Sequence, residues 1–71
     1  MKFIELVSFA DNTIYVNSTY IQSMEIVQSS NTNMFDIKVA VEDKSFLLSV
    51  PKSFKNEKEA DEYLQQFINN L

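Results

Sequence analysis

Seventy-one residues are enough for one small domain, and they contain no histidine, cysteine, glycine, arginine or tryptophan. That composition excludes disulfide staples, most zinc sites, glycine-rich phosphate cradles and histidine-activated nucleophiles. The net charge of −4 and the absence of arginine argue against a nucleic-acid partner, whose phosphates demand a basic footprint.

The chain starts with a strand pattern over residues 2–9. Ile4 and Leu6 fall on one face, Phe3, Val7 and Phe9 on the other, with Glu5 interrupting the second row. Asp11-Asn12 then supplies a turn, because aspartate and asparagine replace glycine as the residues that tolerate positive φ. Residues 14–17 resume a strand with Ile14 and Val16 on one side. Asn17-Ser18-Thr19-Tyr20 reads as an Asx-type corner. A third strand covers 21–28, where Ile21 and Met24 differ in parity, so a bulge or one helical turn lies between them.

Asn31 and Asn33 mark the next turn. Residues 34–42 form the most regular strand, with Phe35, Ile37, Val39 and Val41 pointing one way and Asp36, Lys38 and Glu42 the other. Asp43-Lys44 reverses the chain. Phe46, Leu48 and Val50 then share a face of strand five, which Pro51 is expected to end because it cannot donate to a ladder. Asn56 is the expected cap of a closing helix. Ala60, Tyr63, Leu64, Phe67, Ile68 and Leu71 make its apolar stripe, and Glu57, Glu59, Asp61 and Glu62 suit its positive end. Turn residues recur at Asn69-Asn70.

The expected architecture is α+β: one domain over 1–71, an antiparallel β-meander of about five short strands with the C-terminal helix on one face. One helix covers one side of a sheet. Phe3, Val7, Phe9, Tyr15 and Leu47 are left over for the other, and exposed apolar surface of that kind marks interfaces. A domain this small gains from a second copy of itself, so a homo-oligomer, with a dimer favoured, is the expected state.

No catalytic, cofactor-binding or metal-binding residue is assigned. Ser49 and Ser53 have no histidine to activate them, and Asp11-Asn12-Thr13 and Glu42-Asp43 fall short of a calcium loop. The opening residues, Met1-Lys2-Phe3-Ile4-Glu5, do not read as a signal peptide, and no apolar run approaches the ~20 residues of a membrane helix. The expectation is a cytoplasmic, non-enzymatic interaction module that self-associates and binds another protein, with no membrane insertion. Two other readings are open. One is a small acidic inhibitor or nucleic-acid mimic of phage or mobile-element type, presenting Glu57, Glu59, Asp61 and Glu62. The other is a single-strand nucleic-acid binder using sheet aromatics beside Lys38 and Lys44.

Phe3-Ile4-Glu5-Leu6, Ile14-Tyr15-Val16-Asn17, Ile21-Gln22-Ser23-Met24-Glu25 and the passage from Val50 into the helix resemble the short bacterial flagellar FlbD-type proteins. The similarity spans nearly the whole chain through short apolar motifs. It departs at the hairpins, where Asn12 and Asp43-Lys44 replace that family's usual glycines, and in a longer loop around 29–33. The resemblance implies a small non-catalytic protein, in some cases tied to flagellar motor function, and carries over no active-site residues. A phage origin fits the sequence as well.

Overall fold

The computed structural model describes residues 2–42 and 44–70. Its elements are β1 (Phe3–Val7), β2 (Thr13–Asn17), a 3-10 turn (Ser18–Tyr20), β3 (Ile21–Gln28), β4 (Phe35–Val41), β5 (Leu48–Phe54) and α1 (Glu57–Asn69). The fold is α+β, one five-stranded antiparallel sheet and a C-terminal helix. The expected reversal at Asp43 and the last apolar helix position, Leu71, lie outside the described residues.

Asparagine and aspartate make the turns. Asp11 and Asn33 hold φ of 62° and 58°, the left-handed region that β-branched residues avoid. Asn17 Oδ1 accepts from the Thr19 amide at 3.0 Å and so fixes the corner after β2. Asn56 Oδ1 accepts from the Glu59 amide at 2.9 Å, satisfying one of the free N–H groups at the start of α1. Asn56→Ala should therefore lower stability by about 1 kcal/mol, read as a lower thermal midpoint with the folded far-ultraviolet spectrum retained. An unchanged midpoint would show that the cap contributes nothing.

The strand order is β2-β1-β5-β4-β3. Consecutive strands pair everywhere except between β2 and β3, and β1 lies instead against β5, with Val7 opposite Ser49. This order bends the sheet. Laid flat, five strands would hold β2 and β3 about 19 Å apart, yet the four links from Asn17 to Ile21 reach at most about 14 Å. The sheet therefore curls around its apolar face, bringing its two edges toward each other at the 3-10 turn.

Leu6, Val16, Ile37, Val39, Val41, Leu48, Val50 and Phe54 line the concave side and are buried, with Ile4, Ile14, Met24 and Ile26 packed around them. Helix α1 lies over β4, β5 and β3 and drives Ala60 into this core with no residual exposure. Tyr63 sits 5.2 Å from Phe54, ring centre to ring centre, and 6.4 Å from Phe67. The far end of the helix returns to β1, where Lys2 Nζ donates to the Asn70 carbonyl.

Two expectations need correction. Pro51 does not end strand five, which runs on to Phe54. Val50, Pro51 and Lys52 stand opposite the single residue Ile37, in a bulge where the ladder can do without a proline N–H. Phe46 is not on the core face either. It precedes β5 and is 40 % exposed, its ring meeting Phe9 edge-on at 5.8 Å. The parity change in β3 resolves as a bulge between Ile21 and Ser23, with the helical turn just before it.

Candidate interaction surface

The convex side of the sheet is divided. Over β3, β4 and β5 it is mainly polar, Val27 excepted: Glu25 stands directly opposite Lys38, Lys38 Nζ donates to Ser49 Oγ at 3.0 Å, and Ser53 Oγ donates to Asp36 at 2.6 Å. Over β1 and β2 it carries exposed aromatic rings around an exposed carboxylate, Glu5. Phe3 and Tyr15 are 62 % and 66 % exposed, and Val7 is half-buried. Glu5 is opposite Tyr15 in the ladder, so Phe3 and Val7 are the diagonal neighbours of that ring, within its reach. The apolar convex face expected from the sequence is thus confined to one half of the sheet.

Phe9 and Leu47 lie elsewhere. Continuing the Val7–Ser49 register beyond the strands sets Phe9 beside Leu47, at the rim formed by the β1–β2 and β4–β5 connections. Phe9 is the most exposed large apolar residue among those described, at 85 %, and with Phe46 and Leu47 it forms a second apolar cluster. Ser8 holds this tip in shape: its hydroxyl accepts from the amides of Ala10 and Asn12, both at 3.3 Å. The five sequence-predicted interface residues therefore form two groups, Phe3, Val7 and Tyr15 on the convex face and Phe9 and Leu47 on the tip. Phe46 and Tyr20 join these groups. The sequence pattern missed Phe46 because its parity matches Leu48 and Val50.

The backbone adds a third feature. Ser8 N donates to Asn12 O at 2.9 Å and Ser18 N donates to Lys2 O at 2.8 Å. The hydrogen-bonded pairs of the β1–β2 ladder are therefore Ile4–Val16 and Leu6–Ile14. Thr13 and Tyr15, which alternate with these in β2, turn their N–H and C=O groups outward along an edge of the sheet, while the Asn17 carbonyl serves the 3-10 turn that follows. A groove of about 290 Å³ runs beside that edge, with Tyr15, Val16, Tyr20, Val41 and Lys44 in its walls.

Glu57, Glu59, Asp61 and Glu62 are all exposed on α1, but on two flanks. Glu57 and Asp61 lie with Lys58 beside Ile26, while Glu59 and Glu62 share the other side with Lys52 and Lys55. Interleaved lysines break the acidic stripe that a nucleic-acid mimic would present. Lys52 itself lies over the rings of Phe54 and Tyr63, at 5.5 Å and 5.8 Å from their centres. Among the described residues there is no group of three or more acidic, histidine or cysteine side chains placed to hold a metal ion, and no helix long and apolar enough to cross a membrane. No protein-family model, curated protein or solved structure matches the chain.

Proposed function

We propose that this chain is a cytoplasmic, non-enzymatic protein–protein interaction module that self-associates through the convex face of β1 and β2. The observation that carries this reading is the partition of the convex face. Polar side chains tie one another down over β4 and β5, while Phe3 and Tyr15 stand in solvent over β1 and β2. Neighbouring aromatic rings left exposed on one sheet face mark a surface that a partner covers. The composition supports the non-enzymatic half of the reading, since histidine and cysteine, the side chains most used as base and nucleophile near neutral pH, are missing from the sequence. The tip cluster of Phe9, Phe46 and Leu47 is spatially separate, and it offers a surface for a second protein after the module has assembled.

Size-exclusion chromatography with light scattering tests the self-association. The wild type is expected to elute with the mass of two chains, and the double variant Phe3→Ser/Tyr15→Ser to shift toward one. Both replaced side chains are exposed, so the monomer's thermal midpoint should change little. A wild type that remains a single chain across a dilution series would remove the proposal.

A further inference from the structure

The geometry points to a way in which two copies join: they exchange their β1–β2 hairpins, with Ser18–Tyr20 as the hinge. This inference rests on the self-association reading and names the element that carries it. The chain divides at the 3-10 turn into two internally bonded parts. On one side Ser18 N closes the hairpin onto Lys2 O at 2.8 Å. On the other, Glu42 N donates to Tyr20 O, also at 2.8 Å, and extends the β3–β4 ladder. Between the two parts the sheet is joined by a single registered pair, Val7 opposite Ser49. Helix α1 packs on β4, β5 and β3, and its far end is tied to the hairpin by the bond from Lys2 to the Asn70 carbonyl. Leu6 and Val16 supply the rest of the attachment through the core.

The hinge is set for opening. Asn17 (φ −67°, ψ 125°) and Ile21 (φ −76°, ψ 124°) are already extended, so only the three residues between them change conformation. Opening breaks the bonds from the Thr19 amide and hydroxyl to Asn17 Oδ1, both in one exposed turn. It also releases the demand that four links hold the two edges of a curled five-stranded sheet together. Strand β2 then runs on into β3, and the hairpin reaches a neighbouring copy. A short hinge under constraint of this kind favours exchange.

The fold itself fixes the occupant of the vacated seat. Only another copy carries a hairpin whose Leu6 and Val16 fit the space beside β5, so the partner is a second copy. The exchanged hairpin meets the same side chains that it leaves. The charge of −4 on each chain therefore needs no complementary surface for this part of the contact. New contact forms where the two hinges pass each other. Phe3, opposite Asn17 at the end of β2, Tyr15 and Tyr20 are exposed around that point and share one groove. Exchange brings both sets together and covers them.

The chain has no cysteine, so an introduced disulfide reports which copy each hairpin sits on. Directly opposed residues of an antiparallel pair lie about 5.5 Å apart at Cα, within disulfide range. In Val7→Cys/Ser49→Cys, oxidised as the dimer, exchange links the two chains. A denaturing gel without reductant should then show the mass of two chains. Inserting Gly-Ser-Gly-Ser between Thr19 and Tyr20 relaxes the hinge and should return the protein to one chain by light scattering. A native dimer whose disulfide stays within each chain, or a lengthened hinge that leaves the dimer intact, overturns the exchange but leaves self-association standing. If the cysteine variant does not fold, the lengthened hinge decides the matter alone. A wild type that is a single chain at every concentration, including after refolding from urea at high concentration, overturns both.

Discussion

Leu6→Ala should cost roughly 2–5 kcal/mol of unfolding free energy, the range for truncating a fully buried leucine. Leu6 has no residual exposure and sits on β1, between β2 on one side and β5 on the other. A domain of this length holds only about 4–11 kcal/mol in total, so the variant should lie close to the edge of folding at 37 °C. In a sheet whose strands paired strictly in chain order, β1 would be an edge strand and the surroundings of Leu6 could relax into the space. Here the pairing of β1 with β5 encloses it. Urea denaturation followed by circular dichroism measures the difference, with Phe9→Ala as the comparison, expected within about 0.5 kcal/mol of wild type because its ring is largely in solvent. Comparable losses for the two variants would place β1 at the edge of the sheet and contradict the topology.

The second large effect is expected at the seat of the helix. Ala60 is completely buried where α1 meets the sheet, and the side chains around it are apolar. Ala60→Asp would bury a carboxylate without a partner, at a cost on the order of 3–5 kcal/mol near neutral pH. The pH dependence has a definite sign. Burial raises the folded-state pKa of the new carboxyl above its unfolded value, so the folded state binds more protons in the window between them. Stability of the variant should therefore fall as pH rises from the ordinary aspartate range through the raised value, and recover on acidification. Ala60→Ser separates charge from size and should cost much less. If Ala60→Asp denatures at the same urea concentration as the wild type across that window, α1 is not seated where Ala60 places it.

Both variants bear on the proposed self-association as well. Tyr15 and Phe3 are presented by a β1–β2 hairpin whose opposite face is pinned by Leu6, Val16 and Ile14. A loosened core would free the hairpin, so Leu6→Ala should weaken the proposed self-association more than its distance from the surface implies. Tip residues Phe9 and Leu47 hang on the connections and should be insensitive to it.

Local structure was legible because it depends on local spacing. Alternation over 34–42 and the i, i+3, i+4 stripe from Ala60 to Phe67 mark a strand and a helix whatever lies around them. The two residues with positive φ, Asp11 and Asn33, lie in turns that the sequence marks with asparagine and aspartate in place of the missing glycines. Asn17 and Asn56 could be assigned as corner and cap because a short side-chain oxygen reaches only amides two or three residues on. The apolar surplus on β1 and β2 could be counted, and its residues named.

Position within the sheet could not be read this way. Parity says which face a side chain takes but not which strand lies beside it, so nothing in Phe46 distinguishes it from Leu48 until the turn is seen to end at Leu47. Pro51 marks a break in the ladder equally well at a strand end or inside a bulge, and only the facing residue Ile37 decides between them. The amino-acid order by itself determined the elements, their boundaries to within a few residues and the turn chemistry. Tertiary structure alone decided that β1 lies against β5, that β2 is an edge strand, and that polar side chains pair on the convex face over β4 and β5. The reason is that strand neighbours are chosen by closing a chain tens of residues long around a shared core, an energy to which no local window of sequence has access.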